Sequence, residues 1–152
     1  MTGIPEDKRG KIVNVARATQ VIDFSGCVLN GNATPSDMDG IMEIRNHLFI
    51  IIELKHTSAQ KMSMGNGQGG ALRRYADLPA ASGKWGFLFI AEHNTEIGDE
   101  IIAAECKVIG GRANLQDIEA RGATLRACLD YAYNSAFQYG TPLKPPRPEI
   151  RA

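Results

Sequence analysis

Apolar positions fall in blocks along this chain, and the spacing within each block predicts an element. Phe49-Ile50-Ile51-Ile52-Glu53-Leu54-Lys55 is apolar until it closes on Glu-x-Lys. With Met38 to Arg45 before it, and a turn at Asn46–His47, it predicts a hairpin of two strands, Met38–Arg45 and His47–Lys55. Gly86-Phe87-Leu88-Phe89-Ile90 centres a strand over Trp85–Ala91, and a continuous run of this kind predicts burial on both faces. Leu125, Cys128, Leu129 and Ala132 recur at helical spacing within a helix expected from Leu115 to Tyr139, with a soft spot at Gly122. Gln68 to Leu78 predicts a helix that Pro79 stops. Ile101–Ile109 is expected as a further strand. Upstream, Lys11–Ala18 favours a short helix over an extended entry, and Val21–Phe24 with Cys27–Leu29 reads as a strand interrupted at Ser25-Gly26.

Turn residues separate these blocks. Asn30-Gly31-Asn32-Ala33-Thr34-Pro35 is a loop, and 57–70 is a polar, Gly-rich connection whose length suggests mobility. Pro142, Pro145, Pro146 and Pro148 make 141–152 a Pro-rich tail that cannot be helical. The order is helix, three strands, helix, strand, strand, helix. That is an α/β domain, a central mixed sheet flanked by helices, expected as one domain over 1–140.

The closing Glu-x-Lys carries the chemistry. Alternation puts Glu53 and Lys55 on one face and Leu54 on the other with Ile50 and Ile52. Charges at the end of a buried strand are rarely placed there unless paired or holding a metal. The hairpin brings Asp39 near Glu53. Two carboxylates and a lysine converging at a sheet end form a divalent-cation site with a cationic helper; the bland reading is a strand end with a weak ion pair. Asp37 shares a face with Asp39 and either assists the metal or solvates the loop. Gly40 leaves room for a close approach. His56 and His93 each follow a strand, as polar termini or as a pair of proton carriers or metal ligands in one cleft.

Asp39 followed by Glu53-x-Lys55 on the next apolar strand resembles the restriction-endonuclease-like superfamily, the PD-(D/E)xK nucleases. Ile22-Asp23-Phe24-Ser25-Gly26, Thr34-Pro35-Ser36-Asp37-Met38-Asp39-Gly40 and Gly67-Gln68 resemble small phage and prophage members, so the likeness spans roughly residues 10 to 92. It implies a restriction-endonuclease-like core and metal-dependent hydrolysis of phosphodiester bonds in DNA. In the roles it implies, Asp39 and Glu53 hold Mg²⁺ or Mn²⁺, the Leu54 carbonyl adds a ligand, and Lys55 orients the attacking water. Gln68 resembles the helix glutamine that fixes the site or touches DNA, while Tyr75 misses the usual Gln-x-x-x-Tyr spacing and reads as helix packing. Lys61, Gln68, Arg73 and Arg74 are the expected DNA contacts, Arg73 and Arg74 with a solvated helix face as the alternative. Glu6 lies in a polar start unsuited to the extra helix carboxylate some members bring. Members often dimerise so that both strands can be cut, which makes a homodimer one expected arrangement, and a bacterial or phage-encoded protein of the cytoplasm is the expected setting.

Composition adjusts this picture in a few places. At 152 residues the chain suffices for an ordinary core. The formal net charge is zero, which argues against a constitutive nucleic-acid coat but not against a nuclease, because bound metal adds local positive charge. Lys55, Lys61, Arg73, Arg74 and Lys84 are candidates for a local basic patch. No apolar run approaches the ~20 residues of a membrane span, and the N-terminus has no signal-peptide core. Cys27, Cys106 and Cys128, without Cys-x-x-Cys, predict buried free thiols.

Two rival readings remain. One is a nucleic-acid-binding or structural module that keeps the fold with little activity, which the intact Asp39…Glu53-x-Lys55 set disfavours. The other is dinucleotide binding: Gly65-Asn66-Gly67-Gln68-Gly69-Gly70 matches G-x-G-x-x-G, with Glu92 about twenty residues on. That fingerprint opens directly after its strand, whereas Gly65 lies well past Lys55.

Overall fold

The computed structural model describes residues 38–59, 67–119 and 122–138, all within the unit Asp37–Ala152. Five strands, β1 (Gly40–Ile44), β2 (Leu48–His56), β3 (Trp85–His93), β4 (Lys107–Ala113) and β5 (Gln116–Ile118), form one sheet in that order. β2 and β3 are parallel and the other neighbours antiparallel, so the sheet is mixed. Helix α1 (Gly67–Ala81) connects the parallel pair, a βαβ unit, and helix α2 (Leu125–Gln138) follows β5. The α/β class and the mixed sheet agree with the sequence expectation. The expected elements upstream of Met38, with Glu6 and Asp37, lie outside the described residues, as do Lys61 and the Pro-rich tail.

Alternation along β2 and β3 builds two cores. Leu48, Ile50, Trp85, Phe87, Phe89 and Ala91 face Leu125, Cys128, Ala132 and Ala136 of α2. Ile51, Leu88 and Ile90 face Leu72 and Ala76 of α1. Helices thus cover both faces, and β3 is buried from Trp85 to Ala91 as a central strand must be.

Several boundaries differ from the sequence expectation. Pro79 lies inside α1, which runs to Ala81. Proline removes one N–H and crowds the preceding turn, but at this late position the carbonyls of Pro79 and Ala80 still accept the Ser82, Gly83 and Lys84 amides. The strand expected over Ile101–Ile109 is a short 3₁₀ turn, Ala103–Glu105, and then β4 from Lys107. The long helix from Leu115 is instead a hairpin and a shorter helix. Asn114 and Leu115 take positive φ in a two-residue turn between Ala113 and Gln116. The helix starts at Leu125, where the Thr124 hydroxyl accepts the Ala127 amide as an N-cap. Among the described residues no helix is long and apolar enough to cross a membrane.

Cys106 and Cys128 are buried free thiols. Burial pushes the Cys128 thiol up to about 11. At pH 8 alkylation of Cys128 in the native protein is therefore expected to run at least about 10²-fold slower than in denaturant, a difference readable by peptide mass spectrometry. Equal rates would show that the α2 core is open to reagent.

Candidate functional site

The β1–β2 hairpin closes through Arg45 and Asn46, both at positive φ, with the His47 amide donating to the Ile44 carbonyl. This geometry sets Gly40 opposite Ile52. Asp39, one residue before β1, then reaches past the last ladder pair, and its Oδ2 accepts the Leu54 amide at 2.6 Å. The hairpin expected to bring Asp39 near Glu53 sets the Asp39 carboxylate on the backbone of the next residue, Leu54. A Cβ at Gly40 would come within 3.4 Å of the Ile52 Cβ, so the glycine leaves the Ile52 side chain its room.

Glu53 and Lys55 share the α1 face of β2 with Ile51. Glu53 is only 3% exposed, and its Oε1 pairs with Lys55 Nζ at 2.5 Å. Lys55 also donates to Gln68 Oε1 at 3.3 Å, so the first turn of α1 is tied to the charged end of β2. Leu54, on the other face, packs at the margin of the α2 core, leaving its backbone as the part aimed at Asp39. A carboxylate this deep in the fold, held by an ammonium, is a placement that ordinary surface ion pairs do not need.

The parallel register adds a residue that the motif does not contain. Lys55 lies beside Glu92 and His56 beside His93, and laterally paired residues of neighbouring strands project to the same face. Glu92 thus borders the site, and Lys107 of β4 lies beside Glu92 in turn. The two histidine rings meet edge to face at 5.4 Å. Only the chain reversal through α1 brings these pairs together, so no sequence spacing announces them. Among the described residues no group of three or more His, Cys, Asp or Glu side chains converges on a single metal position. The two carboxylates at this end of β2 are each engaged by the protein, Asp39 by the Leu54 amide and Glu53 by the Lys55 ammonium.

The basic residues divide. Arg74 is exposed on α1. Arg73 pairs with Asp117 at 3.3 Å, part of a network in which Arg112 of β4 grips both oxygens of Asp77 and also Asp117. Burial works against the Arg112 charge, but its bonds to Asp77 and Asp117 outweigh that and raise its affinity for the proton. The network fastens α1 to β4 and β5. Lys84 precedes β3, at the end of the sheet opposite Lys55, where it donates to Asn46 Oδ1 and lies over the Phe49 ring. It is therefore no part of a basic patch around Lys55. Tyr75 is exposed rather than packed.

The glycine-rich segment enters α1 at Gly67, and Gly69 and Gly70 are buried. A βαβ unit with an acidic residue at the end of its second strand is the context a dinucleotide fingerprint asks for. The spacing departs from that fingerprint, because β2 ends at His56 and residues 57–64 intervene in the sequence before Gly65.

Comparison with protein-family models, with curated proteins and with solved structures gives no match for this chain.

Proposed function

We propose that the protein is a divalent-metal-dependent nuclease that hydrolyses phosphodiester bonds in DNA, with Asp39, Glu53 and Lys55 at its centre. The observation that carries this reading is the buried Glu53 carboxylate paired with the partly exposed Lys55 at the end of β2, with Asp39 tethered to the intervening Leu54 amide. Asp39 and Glu53 would hold Mg²⁺ or Mn²⁺, with the Leu54 carbonyl as a further oxygen. The bound ion supplies Lewis acidity and a water of lowered pKa. Lys55 Nζ, partly desolvated beside Glu53, would supply N–H donors to the attacking water and to the developing phosphorane charge. Gln68 Oε1 restrains that ammonium. Hydrolysis forms one P–O bond to water and breaks one to the leaving oxygen, which takes a proton, so no redox partner is required. Buried thiols accord with the reducing cytoplasm expected for such a protein.

The test is incubation of the full chain with linear, nicked, branched and single-stranded DNA, with Mg²⁺, with Mn²⁺ and with chelator. Cleavage of at least one form, dependent on the cation, is expected. No cleavage of any form with either cation would end the reading. The βαβ context favours one rival, a dinucleotide-binding protein. A rise in melting temperature with nicotinamide cofactors, together with absence of cleavage, would establish that rival instead.

A further inference from the structure

A cavity of about 400 Å³ opens at the carboxyl end of the parallel strands, the end that also carries Lys55, although neither Lys55 nor Asp39 nor Glu53 lines it. Thr57, two residues beyond Lys55, and Glu92, the lateral neighbour of Lys55, form its near wall. His93, Asn94, Ile102 and Glu105 close much of the remainder. Carboxyl ends of parallel strands are where open α/β sheets hold ligands.

The lining decides which part of a nucleic acid fits. The carboxylates of Glu92 and Glu105 outnumber the one lysine of the lining, Lys107, which disfavours a phosphate. Carboxylates accept well from exocyclic amino groups, as glutamate does from the cytosine amine. The Thr95 amide donates to His93 Nδ1 at 3.3 Å, which assigns the ring proton to Nε2 as a donor. Asn94 offers a donor and an acceptor together, and Ile102 supplies an apolar wall. Acceptors, a ring donor, an amide and an aliphatic surface match the edge and face of a base better than those of a sugar–phosphate. The volume accommodates a base with its hydration.

We infer that this cavity receives an amino-bearing nucleobase, cytosine or adenine, splayed from the strand whose phosphate lies at Lys55. The inference rests on the nuclease reading and names its substrate class: DNA that is single-stranded or has an unpaired nucleotide beside the scissile bond, because a stacked and paired base cannot enter a pocket. The exposed Ile97 at the tip of the loop leaving β3 stands at the same end of the sheet, placed as an apolar wedge against neighbouring bases.

The test uses nucleosides, which carry no phosphodiester and need no metal, so its result is separable from cleavage. Deoxycytidine, deoxyadenosine and thymidine are titrated into the full-length protein while the backbone amide resonances of Asn94, Cys106 and Lys107 are followed. Deoxycytidine and deoxyadenosine are expected to shift them, binding at least about tenfold tighter than thymidine. Glu92→Gln is expected to narrow that preference, since its amide also donates to thymine O4; an unchanged amide spectrum elsewhere reports that the variant is folded. Thymidine binding as tightly as deoxycytidine would overturn the inference. So would shifts with spermidine and none with nucleosides, which would make the cavity a polyamine site. Cleavage of DNA without nucleoside binding would discard the base pocket and leave the nuclease standing.

Discussion

Asp39→Asn is expected to leave the fold intact and to lower DNA cleavage by a factor on the order of 10²–10⁴. The asparagine Oδ1 can accept the Leu54 amide that Asp39 Oδ2 accepts now, and the position is exposed, so stability should change by less than about 1 kcal/mol. What disappears is the negative charge, and with it one of the two carboxylates available to a cation. Lys55→Ala makes a weaker test despite the more central role proposed for it. It strips the ammonium from a carboxylate that is 3% exposed. Breaking such a pair costs stability, here about 1–3 kcal/mol because Lys55 itself is partly exposed and water can follow. Lys55→Met, which keeps the apolar stem, limits that loss of packing. Urea melts run alongside single-turnover cleavage at saturating Mg²⁺ separate the two effects. Full activity of Asp39→Asn under those conditions would remove Asp39 from the centre.

The hairpin and the face carrying Glu53 and Lys55 were legible because alternation is a local rule and the strand is long. The start of α1 at Gly67 and the burial of β3 follow from equally local signals. The remainder depends on contacts distant in sequence. Arg112 meets Asp77 across 35 positions, and Glu92 meets Lys55 only because α1 returns the chain in parallel. The Asn114–Leu115 turn escaped because leucine at positive φ carries none of the Asn-Gly signature that marks such hairpins. Without that turn, the polar β5 and the apolar positions of α2 merged into one apparent helical period. Asn114 is nevertheless well suited to its place. Its amide donates to the Gly86 carbonyl and its Oδ1 accepts the Gly86 amide. Side chain and backbone together thus fix the strand on which α1 rests.

Gly86→Ala is expected to cost on the order of 3–5 kcal/mol and to disable the centre at the same time. A Cβ at position 86 would lie 2.0 Å from the Ala76 carbonyl oxygen and 3.2 Å from its carbon. Those are backbone atoms in the middle of α1, so no rotamer change relieves the overlap. The strand cannot yield either, because Asn114 holds both polar groups of Gly86. Helix α1 must therefore lift from the sheet. Lifting it separates Leu72 and Ala76 from Ile51, Leu88 and Ile90 and draws Gln68 away from Lys55. Gln68→Ala provides the comparison, since it removes the hydrogen bond while the helix stays seated. It should lose about tenfold in cleavage with a stability change below about 1 kcal/mol. Chemical denaturation and cleavage rates of both variants measure the two quantities. If Gly86→Ala melted with the wild-type chain, the close seating of α1 on β3 would be wrong, and the restraint of Lys55 by Gln68 would lose its structural basis.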